Sequence, residues 1–368
     1  MRKLFFTLLR AGLWQHTADA NLFTDLQPAD WERLFYMARS QAVAALVFDG
    51  VATLPAAVRP PRTLYVQWAG LALQIERENC TLDAAIPRLF EPYRAAGLHP
   101  VLLKGQGVAR CYPNPARRTS GDIDIYVGKK GIDTANNLLL AMGAVHTSEE
   151  SDKHSGFSLD GVEIENHRLL AQMNAPRANR YLARMIRAWY PDNTDEVDID
   201  GYVVHTPPAT FNAFYIFQHI FQHILTGGIG LRQVCDWACV LHAYCAAIDS
   251  VQLALIFKKT GLLKAARALG YVAVHHLGLP SQCLPFTVDD MHREGERLLD
   301  DIFATGNFGQ YDEAWRLRPK GYWKGKWHTM MRTWSRRSIM NTLAPAETRW
   351  SIVMLLRKNI YIQLKRLK

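Results

Sequence analysis

The sequence predicts an α+β fold in which a small mixed-sheet core is flanked by N-terminal helices and a C-terminal helical domain. Three observations predict it. Apolar residues at helical spacing dominate residues 1–97, short strand-like runs cluster between 98 and 206, and helical spacing returns from 207 to about 310. A basic, Trp-rich helical tail over 311–368 completes the division. At 368 residues the chain exceeds the usual size of one compact domain, so several packed units are expected.

In the first region Pro28-Ala29-Asp30-Trp31 opens a helix predicted to run through Leu34, Phe35, Ala38, Ala42, Ala45 and Leu46. Pro60-Pro61 separates it from a second long helix through Leu71, Ile75 and Leu82. The period then changes. Val101-Leu102-Leu103, bounded by Pro100 and Gly105, reads as a buried strand, with a helix over Gly105 to Cys111 behind it. Asp122 to Val127 alternates strictly, placing Ile123, Ile125 and Val127 on one face and Asp122, Asp124 and Tyr126 on the other. A helix through Ile132, Ala135, Leu138, Leu139 and Met142 ends at Gly143, and strands are predicted at 144–147, 156–159 and 162–167. Beyond Pro207-Pro208 the predicted helices are 211–225, 231–247 and 251–277.

Composition places the chain among ordinary folded proteins: 49% of residues are hydrophobic and 21% charged, with no low-complexity tract or internal repeat. The six cysteines lack paired short spacings and are expected to be buried thiols in a reducing, cytoplasmic setting. Cys235 and Cys239, one helical turn apart, are expected to pack in the core. The N-terminal run begins like a signal peptide, but Arg10 interrupts it and no small-residue cleavage site follows, so it is read as a mature amphipathic helix. The long stretch from Gly201 to Leu231 without acidic or basic side chains carries Pro, Gly, Gln and His, which makes a poor membrane span.

Charge is unevenly placed. From Lys320 to Lys368 there are twelve Lys or Arg against Glu347 alone, while the whole chain carries +9, so the basic character belongs to the tail. There Trp323, Trp327, Trp334 and Trp350 interleave with Lys324, Lys326, Arg332, Arg336 and Arg337. Such a segment suits an anionic membrane surface, at the inner face of the membrane, or nucleic-acid phosphates; the plainer alternative is a solvated basic helix packed on the body.

Asp122 and Asp124 project from the same face of one strand end, close enough to share divalent cations, an arrangement that phosphoryl transfer needs. Oxygen ligands favour Mg²⁺ over a transition metal. Upstream, backbone N–H groups at Gly105 to Gly107 can hold phosphate oxygens, while Lys104, Arg118 and the polar loop ending at Ser120 add charge and hydrogen bonds, so Lys104, Gly105, Arg118 and Ser120 are the candidate nucleotide-binding residues. Downstream, Val162 to Arg168 alternates again, putting Glu163, Glu165 and His167 on one face, so either glutamate can be the third carboxylate. His219 and His223, one turn apart, are read as core or cleft-lining imidazoles, and Arg232 with Asp236 as an internal ion pair.

Leu102-Leu103-Lys104-Gly105, Tyr112-Pro113, Arg118-Thr119-Ser120-Gly121-Asp122-Ile123-Asp124, Glu165-Asn166-His167 and the later stretch Gly228 to Trp237 together resemble the uncharacterised nucleotidyltransferase family of the polymerase-beta-like superfamily. The resemblance implies a nucleotidyltransferase core moving a nucleoside monophosphate from a nucleoside triphosphate (NTP, such as ATP). It implies Asp122 and Asp124 as ligands of two Mg²⁺ ions, Glu165 rather than Glu163 as the third catalytic and metal-binding carboxylate, and Arg118 and the Lys104-Gly105 turn facing the nucleotide. The acceptor it leaves open: RNA, protein, sugar or small molecule. One position departs from the pattern, since Gln106 stands where the superfamily usually carries Ser after the glycine. A catalytically idle nucleotide-binding regulator or scaffold is the alternative reading.

Overall fold

The computed structural model describes residues 1–147, 154–311, 321, 327 and 338–354. The N-terminal region holds α1 (Arg2–Trp14), α2 (Pro28–Ser40), α3 (Ala44–Ala52) and the long α4 (Arg62–Ala95). Pro28 occupies the first turn of α2, and the Asp30 carboxylate accepts from the Gln27 backbone N–H at 3.2 Å, which together start the helix where the sequence predicts. The predicted continuation through Leu46 is corrected: the chain breaks at 41–43, with Ala42 at φ 54°, and restarts as α3.

The break has a physical reason. Gln41 is fully buried and serves the helical domain, its Oε1 accepting from Leu231 N (3.1 Å), its carbonyl from Arg232 N (3.1 Å), and its Nε2 donating to Ile302 O (3.2 Å). The first two bonds satisfy backbone donors at a helix start that have no partner within the helix. The turn between α2 and α3 thereby fixes where that helix begins. Where α1 crosses α3, a Cβ on Gly12 would lie 1.8 Å from Leu46 O, so only glycine permits the approach.

The central part contains β1 (Val101–Leu103), α5 (Gly105–Ala109), β2 (Asp122–Tyr126), α6 (Gly128–Ala141), β3 (Val145–His146), β4 (His154–Leu159), β5 (Val162–His167), α7 (Pro176–Trp189), β6 (Asp195–Ile199) and β7 (Tyr202–Thr206). They form one seven-stranded mixed sheet in the order β3-β4-β5-β2-β1-β7-β6. β2 runs antiparallel to β1 and parallel to β5, in a register that sets Asp122 beside Glu163 and Asp124 beside Glu165. One face carries Ile123, Ile125, Phe157 and Ile164 into a core with Ile86, Leu89 and Phe90 of α4 and Ile132, Ala135 and Leu139 of α6. Each such side chain contributes roughly 1.5–3 kcal/mol by leaving water.

The helical region comprises α8 (Ala209–Thr226), α9 (Leu231–Ala243), α10 (Ser250–Thr260), α11 (Leu263–His275) and α12 (His292–Thr305). The predicted helix over 251–277 is two helices, because Gly261 adopts a left-handed conformation that caps α10. Phe214, Phe217, Trp237 and Phe257 are fully buried at its centre and share one core with α1–α3. Residues 338–343 and 345–354 are helical. Among the described residues no helix is long and apolar enough to cross a membrane.

The cysteine expectation is also corrected. Cys245 and Cys283 form a disulfide and Cys80 is exposed, while Cys235 and Cys239 are buried in α9 as expected. The bonded pair is separated by 38 residues, so it leaves no trace in short spacings. Of the tail residues named above, Trp323, Lys324, Lys326, Arg332, Trp334, Arg336 and Arg337 lie outside the described residues.

Candidate active site

The unpaired face of β2 and β5 opens into a cleft of about 380 Å³ whose far wall is α8, with α9 at one end. Lys104 enters it from a strained turn: Lys104 has φ 48° and Gly105 φ 37°, and a Cβ on Gly105 would come within 3.2 Å of the Asp122 carbonyl oxygen. This turn, between β1 and α5, delivers the Lys104 ammonium to Asp124, with Nζ 2.8 Å from Oδ1.

Asp124 is 1% exposed and also receives His167 Nε2 at 2.6 Å. Burial alone would raise its carboxyl, but Lys104 and then His167 outweigh burial and hold it well below the usual carboxylate range. Asp122 responds in the opposite direction: the charge of Asp124, then burial, push it up to about 6 against the relief given by Lys104. The ligand oxygens of Asp122, Asp124 and Glu165 all lie within 4.8 Å of one another. A second group, His154, Glu165 and His167, meets the same limit and shares Glu165. Glu163, its neighbour by alternation, is exposed.

Asn166 explains how Glu165 and His167 are held. Its side chain points under the sheet, accepting from Tyr93 OH (2.9 Å) and donating to Asn136 Oδ1 (3.1 Å), and Asn136 in turn donates to Ser155 Oγ (3.0 Å). This buried chain of satisfied polar groups fixes the face that β5 presents to the cleft.

The loop before β2 is clamped by α9. Arg118 donates through Nε and Nη2 to both oxygens of Asp236 (2.7 and 2.8 Å), and Tyr112 OH donates to Asp236 Oδ1 (2.7 Å). Asp236 thus pairs with Arg118 rather than with Arg232, correcting the expected internal pair; Arg232 Nη1 donates to Thr119 O (2.9 Å). A two-pronged pair brings guanidinium and carboxylate into one plane and outcompetes a single i, i+4 contact. Arg118 Nη1 also donates to Ser120 Oγ (2.8 Å), which donates to Gln106 Oε1 (2.8 Å), and Gln106 Nε2 donates to Asp83 Oδ1 (2.6 Å).

The structure therefore brings Lys104, Gly105, Arg118, Asp122, Asp124 and Glu165 to one cleft, with Ser120 just behind it in the chain that ends at Asp83. His219 and His223 line the α8 wall, with Nε2 atoms 3.0 Å apart. Sequence reasoning placed His167 on the right face without giving it a role, and it missed Asp236 as the partner of Arg118 and Tyr112. The signal for His167 was its alternation with Glu165; none within the sequence connected Asp236 to residues more than a hundred positions away.

A family model described as an uncharacterised nucleotidyltransferase matches residues 27–278, from the cap of α2 to the end of α11. The chain belongs to this family. No curated protein and no solved structure matches it. Membership of this family supports general nucleotidyl-transfer activity and implies an NTP substrate, and Asp122, Asp124 and Glu165 form a group able to hold a metal ion. The family's span includes every residue of the cleft named so far except Phe308, whose ring lies under the Arg232 guanidinium. It leaves out α1, α12 and the tail.

Proposed function

We propose that the protein transfers a nucleoside monophosphate from an NTP to a hydroxyl-bearing acceptor, with Asp122, Asp124 and Glu165 holding two Mg²⁺ ions. The observation that carries this reading is the convergence of three carboxylates from two parallel strands to within 4.8 Å. The donor set fits the ion: all three are hard oxygens, and the Lys104 ammonium bound to Asp124 shows that the pocket accepts positive charge there. When bound, the ions lower the pKa of the attacking hydroxyl and neutralise charge on the triphosphate and departing pyrophosphate.

The remaining roles belong to the chain itself. Asp124, already ionised, and Asp122, which sheds its proton above about pH 6, provide the fixed negative charge of the site. Glu165 faces both from the neighbouring strand, with its Oε2 3.4 Å from the His167 imidazole Nε2. Lys104 exchanges its contact with Asp124 for the triphosphate, and Gly105 lets the backbone approach phosphate oxygens. Arg118, held rigid by Asp236, supplies positive potential at the cleft floor, and Ser120 keeps Arg118 and Gln106 in register.

The test is incorporation of label. The protein is incubated with each α-phosphate-labelled NTP, Mg²⁺ and a cell extract, and the fraction that acquires label is identified. Asp122→Asn and Asp124→Asn should each abolish incorporation, the first with the melting temperature preserved and the second with it lowered, because Lys104 and His167 lose their buried partner; full incorporation by either variant refutes the assignment.

A further inference from the structure

Helix α7 presents a feature that the transfer reaction does not account for. Arg177, Arg180, Arg184 and Arg187 are all exposed, and α7 contains no acidic residue. At 100° per residue the four fall within an arc of about 80°, and at 1.5 Å per residue they extend over about 15 Å. None of the four enters an ion pair among the described residues. The opposite face, Ala178, Leu182 and Trp189, is buried, with Trp189 against Phe211 of α8.

The arginine row follows, in the chain, directly on a segment that lines the cleft. Gln172, four residues before Pro176, lines the cleft, and its carbonyl accepts from Gln218 Nε2 (2.9 Å) and Gln222 Nε2 (2.8 Å) of α8. Asn179 closes the corner by accepting from Met173 N (2.7 Å) and donating to Met173 O (2.6 Å). Glu347 is buried and takes the backbone N–H groups of Asn174 and Ala175, so the single acid of residues 320–368 is consumed in fixing the start of α7. The row is therefore held in a set position relative to the carboxylates.

We propose that α7 is a rail for the phosphodiester backbone of a single-stranded RNA whose end enters the cleft as acceptor. Successive arginines advance by about 4.5–6 Å along the helix axis, a stride that lets consecutive phosphates of one strand each meet a guanidinium. A lipid surface is the poorer partner, because the exposed side of α7 offers no large apolar side chain, the exposed ones lying elsewhere. RNA is chosen over DNA because its terminal ribose carries an additional hydroxyl, and the α8 wall of the cleft presents the hydrogen-bonding imidazoles of His219 and His223. The role as acceptor rests on the proposed transfer; the binding does not.

The test measures affinity of the full chain for a labelled 20-nucleotide single-stranded RNA, by fluorescence anisotropy across a salt series, with chelator and without NTP. Wild type should bind with steep salt dependence, and more tightly than to DNA of the same sequence. Arg180→Ala/Arg184→Ala should weaken binding on the order of tenfold and make the slope of log K against log salt shallower by about 1.4, the loss of two phosphate contacts. Its melting temperature should match wild type. Unchanged RNA affinity in this variant, equal binding of DNA, or binding of anionic phosphatidylglycerol vesicles in place of RNA would overturn the proposal. A wild-type chain that fails to bind RNA yet transfers nucleotide to another acceptor strikes the rail alone, whereas RNA binding with no labelled product from any NTP strikes the catalytic reading alone.

Discussion

The two faces of the sheet come from the same strands yet are built to opposite ends. Along β2, Ile123 and Ile125 sink into an apolar core beneath α4 and α6, while Asp122 and Asp124 crowd like charges into the cleft on the other side. The first face gains stability with each residue buried. The second gives some up, since the repulsion from Asp124 that raises Asp122 to about 6 is only partly offset by Lys104. The apolar face fixes the position at which the charged face works, and the period of two that separates them means a one-residue slip would exchange them.

Substitutions on the two faces should therefore be separable. The largest effect is expected at Asp122→Asn, where nucleotidyl transfer should fall on the order of 10³-fold with the melting temperature held or raised, because a charge repelling Asp124 is removed. Steady-state incorporation and thermal melting of one preparation decide it; parallel losses in both would erase the distinction. On the core face, Ile125→Ala should cost about 2–5 kcal/mol in urea unfolding and reduce activity only by the fraction unfolded.

The α8 wall sharpens the comparison through pH. Burial, then Lys104, holds the His223 imidazole at about 4, below its ordinary 6.5, so the unfolded chain takes up that proton first. Stability present at neutral pH is lost as pH falls from 6.5 towards 4. Melting curves should drop less steeply through that window in His223→Gln than in wild type, and identical slopes would contradict the assignment. The smallest effect is expected behind the cleft, where Ser120→Ala removes the bonds to Arg118 and Gln106. A cost of about 1 kcal/mol in stability is expected, with a rise of a few-fold in KM for NTP and little change in kcat.

Much of the site was legible because its signals are local. Strict alternation located β2 and β5 and assigned their faces, Gly143 ended α6 as expected, and the ordered motifs from Lys104 to His167 pointed to the family that the match over 27–278 shows. Other features were illegible for a common reason: they depend on partners far along the chain. Gln41 breaks a helix to serve the start of α9, Asp236 meets Arg118 across 118 residues, and Cys245 finds Cys283 across 38. The β6–β7 hairpin was missed because its first strand, Asp195 to Ile199, mixes acids with few apolar residues, and only pairing beside β1 makes it part of the sheet.

The central claim is that three carboxylates clasp cations between the chain and a triphosphate. It is tested most directly by a crystal grown with Mn²⁺ and a non-hydrolysable NTP, read by anomalous scattering. Two manganese peaks among Asp122, Asp124 and Glu165, with Lys104 drawn from Asp124 onto phosphate, are predicted. A triphosphate bound elsewhere, or no peak beside these carboxylates while Lys104 still holds Asp124, would contradict it.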